Sequence, residues 1–315
     1  MAGIRLLDLL ARERPAAGRV HRELLAAGEV RLNGATCLHD RRLRGGDVVE
    51  VVPPAVPAPS GPRSSARTLP AVLFESESAL VVAKPAGVPT VPDRSGADRG
   101  LHGMLEALRP GADLRIVHRL DRDTSGCLLL AKGLGAARHF DTQFAERLVE
   151  KVYVAVVHGV PARSEFTIDA WLGPDRRRPG KVVASATEQT GFRAAQTLVR
   201  VRQAFAAHAL LELRPATGRG HQLRVHLQSV GHPIAGDRDY GGEPLLLSRI
   251  KPGYKLRVGV DERPLAPRMF LHAERLAFRD LDGTPVEVTT PLPDDLAPAL
   301  RQLDHHDEAR RRPCD

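Results

Sequence analysis

Residues 116–126 read Ile-Val-His118-Arg119-Leu-Asp121-Arg-Asp123-Thr124-Ser125-Gly126, which puts two carboxylates, two arginines, two hydroxyls and a glycine in one short stretch. An ionised carboxylate held in place can act as a nucleophile or as a general base. Asp, Thr, Ser and Gly favour turns and local side-chain-to-backbone hydrogen bonds. The apolar run at 127–131 is long enough for a buried strand and too short for a helix. The pattern predicts a tight polar loop, delivered by one apolar segment and leaving on another, that holds a carboxylate rigidly. The plainer alternative is a solvated turn between strands. His118, His221 and His226 lie in separate motifs with no carboxylate at ligand spacing, so no metal site is expected. There is no Gly-rich dinucleotide motif, no P-loop and no zinc-ligand spacing, so no cofactor is expected either.

The composition bounds what can carry such a loop. A chain of 315 residues has room for one large domain or two. The net charge of +8 favours a polyanionic partner, although the abundance of Arg and Ala also fits a bias in base composition. Three scattered cysteines, Cys37, Cys127 and Cys314, form no disulfide framework and suit a reducing cytosol. No leader pattern and no apolar run of about 18 residues is present, so a cytoplasmic protein that does not enter a membrane is expected.

The elements fall into an order. Residues 1–52 form a small α/β unit with two amphipathic helices, the second ending at Gly28. A short strand at 30–32, an Asn33-Gly34 turn and a last strand at 48–52 follow. Nine Arg stand against seven acids in this unit, and Arg19, Arg22, Arg31 and Arg41 must share a face if they bind anything. Residues 53–70 are rich in Pro, Ala and Ser and read as a semi-extended linker. From 71 onward strands are expected at 72–74, 80–83, 151–157, 166–172, 192–201 and 208–213. Helices are expected at 101–109, 134–148 and 221–230, the second burying Phe140, Phe144 and Leu148. Strands and helices do not alternate, which predicts an α+β domain with a mostly antiparallel sheet over 71–295. The charged residues 296–315 read as a solvated tail.

Two resemblances sharpen this reading. Gly28-Glu29-Val30-Arg31-Leu32-Asn33-Gly34 and Gly46-Asp47-Val48-Val49-Glu50-Val51 make the first unit similar to the S-four-type RNA-binding module. The large domain resembles the RluA-type pseudouridine synthases from about residue 72 to 293. Lys84-Pro85-Ala86-Gly87, His118-Arg119-Leu120-Asp121 with Thr124-Ser125-Gly126, and Lys151 with Tyr153 carry that resemblance. So do Thr217-Gly218-Arg219-Gly220-His221-Gln222-Leu223-Arg224, Gly236-Asp237 and Leu271-His272-Ala273. Gly220 and residues 185–192 depart from the family pattern.

The resemblance implies isomerisation of uridine to pseudouridine in RNA, with Asp121, Tyr153 and Arg224 as the catalytic residues. Arg224 would hold the positive charge beside Asp121, a task suited to a guanidinium fork that stays ionised. Tyr153 would stack on the target uracil. Leu223, His118 and Thr124 would line the substrate pocket, and Arg119 would enter the place left by the flipped nucleotide. The two-domain architecture points to ribosomal RNA or the assembling large subunit as partner, and to a monomer. A non-catalytic RNA-binding assembly factor is the second reading, disfavoured by the intact Asp121, Tyr153 and Arg224.

Overall fold

The computed structural model describes residues 4–13, 25, 30–37, 39–51, 69–91, 100–251, 253–255 and 261–311. The chain divides into Met1–Thr68 and Leu69–Asp315.

In the first unit, helix α1 (Leu6–Glu13) buries Leu6 and Leu10, one turn apart. They pack on Val30 and Leu32 of β1 (Val30–Leu32). β2 (Ala35–Thr36) and β3 (Val49–Val51) flank β1, both antiparallel. Asn33 and Gly34 take left-handed φ values of 53° and 81°, the pair of positive dihedrals that a two-residue hairpin turn needs. Arg31 and Arg41 are exposed. The expected second helix, with Arg19, Arg22 and Gly28, lies outside the described residues except for the buried Leu25.

The second unit is built on one sheet. Its strands are β4 (Val72–Glu75), β5 (Ala79–Lys84), β6 (Leu114–Ile116), β7 (Ser125–Lys132), β8 (Glu150–His158), β9 (Glu165–Pro174), β10 (Val182–Ser185), β11 (Arg193–Ala204), β12 (His208–Pro215), β13 (Leu271–Arg279) and β14 (Pro285–Thr289). The order is β10-β9-β11-β12-β8-β13-β7-β5-β4, with β6 on β7 and β14 on β13. Among the described residues only β13 and β7 run parallel. The α+β reading with a mostly antiparallel sheet holds.

β7 is buried on both faces, which is why it reads as a continuous apolar run. Leu129 faces Phe140 of α3 (Gly133–Ala145), while Leu128 and Leu130 face Leu101, Met104 and Leu105 of α2 (Gly100–Leu108). In the other half of the sheet, Leu223 and Leu227 of α4 (Gln222–Ser229) cover Leu211 and Leu213.

Two expectations are corrected. The described part of the expected solvated tail at 296–315 is no such tail: Ala297–Arg311 is a helix, α5. Leu296, Ala299 and Leu303 pack on Val154, Val156 and Phe270, so an apolar stripe survives beneath the surface charge. The helix expected to reach 148 ends at Ala145, because Arg147 turns left-handed at φ 62°, and Leu148 is 58% exposed.

Candidate active site

The loop between β6 and β7 is pinned at successive residues. The Thr90 hydroxyl donates to the Leu120 carbonyl at 2.7 Å and accepts the Leu120 amide at 3.2 Å, and the Leu120 side chain is buried. The Thr124 amide closes a turn onto the Asp121 carbonyl at 3.1 Å. Lys84, only 1% exposed, donates to the carbonyls of Pro85, Val88 and Arg122 at 2.8, 2.7 and 3.1 Å. Arg268 donates to the Asp123 carbonyl at 3.0 Å and to the Ser125 hydroxyl at 2.8 Å, and is itself gripped by Asp295. The carboxylate of Asp121 therefore projects from a backbone that cannot drift. Thr90 and Arg268 carry no local sequence signal for this task. Lys84 stands in a recognisable motif, but its partners do not.

Asp121 opens into a cleft of about 830 Å³, near the upper end of the range for small-molecule pockets. All seven residues expected to act in catalysis or substrate binding line it: Asp121, Tyr153, Arg224, Arg119, Leu223, His118 and Thr124. They come from the β6–β7 loop, from β8 and from the start of α4, which converge at one end of the sheet.

Arg224 is 9% exposed and meets three carboxylates. Its Nε and Nη2 hold the two oxygens of Asp237 at 2.7 Å each. Nη2 also reaches Asp239 at 3.1 Å, and Nη1 reaches Asp121 Oδ2 at 3.4 Å. Arg224 thus stands beside Asp121 as expected, but its fork belongs to Asp237, and Asp121 receives one long contact. Burial opposes the charge on Arg224, but the bonds and charge of Asp237 outweigh this and keep it ionised. A buried cation already paired with Asp237 thus stands beside the Asp121 carboxylate, which is 28% exposed and keeps its oxygens open to the cleft.

The remaining walls are specific. Burial first, and then the Asp121 charge, raise the Tyr153 phenol, which stays protonated. The His118 ring accepts the Leu129 amide at Nε2, 2.9 Å away, and lies 4.8 Å from the Phe144 ring. Burial pulls His118 down to about 3, so it is a neutral, fixed wall. Thr124 is 2% exposed and its hydroxyl meets no hydrogen-bond partner among the described residues. Arg119 is exposed at the rim. Lys151, two residues before Tyr153 and so on the same face of β8, points along the cleft with its ammonium 6.0 Å from the Phe144 ring. Among the described residues no cluster of three or more His, Cys, Asp and Glu could hold a metal, and no helix is long and apolar enough to cross a membrane.

A family model for RNA pseudouridylate synthase matches residues 78–229. The chain is 35% identical over 290 residues to the ribosomal large subunit pseudouridine synthase C of Vibrio cholerae, covering 89% of this chain and 86% of that one. The chain belongs to the RluA-type pseudouridine synthases. A second member, the ribosomal large subunit pseudouridine synthase D of Xanthomonas campestris pv. campestris, is 34% identical over 299 residues, covering 91% and 85% of the two chains. The solved structure of human RNA Pseudouridylate Synthase Domain Containing 1 superposes with a TM-score of 0.56 at 30% identity, covering 78% of this enzyme and 96% of that chain. In this synthase the matched region holds the whole β6–β7 loop, Tyr153 and Arg224, but stops short of Asp237 and Arg268, which hold them in place.

Proposed function

We propose that this enzyme isomerises uridine to pseudouridine in ribosomal RNA of the large subunit, with Asp121 as the catalytic carboxylate. The observation that carries this is the placement of Asp121. It stands on a three-way-pinned loop, in a cleft of nucleotide size, next to an arginine whose charge is already held by Asp237. The bond between uracil N1 and ribose C1′ breaks, C5 bonds to C1′, C5 gives up its proton and N1 gains one. Atoms and electrons balance with no redox partner, group donor or metal. The carboxylate oxygens of Asp121 serve either as nucleophile or as the base that removes a proton.

Tyr153 stacks on the uracil, and its protonated hydroxyl can hand over a hydrogen bond. Leu223 walls the base. The unpartnered Thr124 hydroxyl offers a hydrogen bond to the flipped nucleotide, and the neutral His118 ring shapes the pocket beside it. Arg119 enters the gap left in the RNA. The first unit, read as an S-four-type module with Arg31 and Arg41 on its surface, adds RNA affinity. The enzyme works as a monomer in the cytoplasm, without a cofactor.

The test is tritium release from C5-labelled uridine in large-subunit ribosomal RNA. Asp121→Asn should abolish release and leave RNA binding nearly intact, because affinity rests on phosphate contacts spread over the basic surface. Asp123→Asn, from the same loop with the same charge change, should lose far less. Wild-type turnover by Asp121→Asn would reject the assignment. No release by wild type on any cellular RNA would leave the assembly-factor reading in its place.

A further inference from the structure

Arg224 is held by the turn at 237–240, and that turn is held in its turn by the β9–β10 hairpin. Lys181 pairs with the Asp239 carboxylate. Arg178 Nη1 donates to the Asp239 carbonyl at 3.1 Å, and the Val182 amide donates to the Tyr240 hydroxyl at 3.1 Å. From its other side the turn offers Arg224 the Asp239 carboxylate at 3.1 Å and the Tyr240 ring, 4.8 Å from the guanidinium. Asp239 and Tyr240 therefore link the hairpin to the arginine beside Asp121.

The hairpin's tip reads Asp175-Arg176-Arg177-Arg178-Pro179-Gly180-Lys181. Asp175 caps it, accepting the amides of Arg177 and Arg178 at 2.9 and 3.3 Å and Arg178 Nε at 2.7 Å. The Asp175 amide closes onto the Lys181 carbonyl at 2.9 Å. The local carboxylates are thus occupied, Asp175 by Arg178 and Asp239 by Lys181 and Arg224. The side chains of Arg176 and Arg177 are exposed and meet no carboxylate among the described residues. A solvated charge run would need no such cap. Two free guanidiniums on a hydrogen-bonded turn suit the oxygens of phosphate, which arginine matches in geometry.

We infer that the tip of the β9–β10 hairpin binds backbone phosphates of the RNA substrate through Arg176 and Arg177, and that Asp239 is a positioning residue that passes the seating of the hairpin to Arg224. The inference rests on the proposed action on RNA, since RNA supplies the phosphates. It adds to that reading a phosphate-contact surface remote from the reacting base, and a residue, Asp239, that holds Arg224 in position from the side of the hairpin.

The full-length chain tests both parts. Binding to a large-subunit ribosomal RNA transcript is followed by fluorescence anisotropy across a salt series, and tritium release is followed in single turnover at saturating RNA. Arg176→Gln/Arg177→Gln should weaken binding about tenfold and flatten the salt slope by roughly one to two phosphates' worth. Its saturated rate should stay at the wild-type value. Arg163→Gln, an exposed arginine at the opposite end of β9, should change neither. Asp239→Asn keeps the carbonyl for Arg178 but gives up its charge to Lys181 and Arg224. Its affinity should stay within about twofold while its saturated rate falls about tenfold or more, with an unchanged thermal midpoint.

Unchanged affinity and slope in the double variant, or an equal loss in Arg163→Gln, would overturn the phosphate site. A wild-type saturated rate in Asp239→Asn would overturn the relay. The anisotropy arm needs no turnover, so a wild type that binds RNA yet releases no tritium counts against the proposed activity alone.

Discussion

Arg224 holds Asp237 with two bonds of 2.7 Å and touches Asp121 with one of 3.4 Å. The two carboxylates divide the work of one guanidinium. Asp237, 2% exposed, offsets the cost of burying the arginine, and Asp121 receives its field without being locked to it. A carboxylate tied in a tight fork would need to break that fork to react.

Asp237→Asn tests this division. It leaves a buried arginine whose best partner is gone, and the guanidinium should turn toward Asp121. Stability should fall by roughly 3 kcal/mol, moderated by the remaining Asp239 contact. The saturated single-turnover rate should fall at least about tenfold, because Asp121 becomes tied. Urea unfolding and tritium release measure the two effects, and a stable variant with wild-type turnover would contradict the division.

Lys84 makes stability depend on pH. Burial pulls its ammonium down to about 7 from an ordinary 10.5, although the nearby charges of Asp123 and Asp121 pull the other way. Between those pH values the unfolded chain keeps a proton that the folded chain has released. The unfolded state then binds more protons, so stability rises with pH, by at most about 1.4 kcal/mol per unit from this residue. Below 7 the full penalty is present. Lys151, also lowered by burial, adds the same sign. The Lys84 share is therefore the difference in slope between wild type and Lys84→Met, read by urea unfolding from pH 7 to 8.5. That window lies below the range where Cys127, raised to about 12, pulls stability the other way. Parallel slopes in the two proteins would show that Lys84 keeps its proton through the whole range.

The loop, the buried strand after it and the residues that line the cleft were legible because their signals are local. A polar run between apolar segments, period-two alternation and short motifs all lie within a few positions of the residues they describe. What holds the site together was not legible in this way. Asp237 reaches Arg224 across thirteen positions, Lys84 reaches the Arg122 carbonyl across 38, and Arg268 reaches the Asp123 carbonyl across 145. No local period encodes these pairings. β13 was missed as a strand because a bulge between Ala273 and Arg275 breaks its alternation. α5 was hidden by its charges, although Leu296, Ala299 and Leu303 already marked one face of a helix.

Gly126 read as a turn residue, and the structure gives it a stricter duty. Its φ is 123°, and a Cβ there would lie 2.2 Å from the Ala273 carbonyl oxygen, where β7 and β13 pair in parallel. The obstacle is backbone and cannot rotate away. Gly126→Ala should cost roughly 3 kcal/mol or more through strain and forced separation of the strands. It should also displace Ser125 and, through Arg268, the Asp123 end of the loop. A urea midpoint within error of wild type would refute the close approach.

The last prediction separates affinity from chemistry. The unit Leu69–Asp315 contains the whole cleft and its own buried clusters around Phe140, Leu129 and Phe270. The first unit presents Arg31 and Arg41 on its surface, and the described lining residues of the cleft all belong to Leu69–Asp315. A chain beginning at Leu69 should therefore fold and keep the wild-type single-turnover rate once RNA is saturating. Its affinity should be lower, and its plot of log binding constant against log salt should be shallower by about 0.7 to 0.9 for each phosphate that it no longer neutralises. The same plot distinguishes a charge-mediated role from a shape-mediated one, since only the former changes its slope. Equal affinity and equal slope in the two chains would remove the first unit from RNA binding, while a reduced rate at saturation would give it a part in assembling the catalytic site.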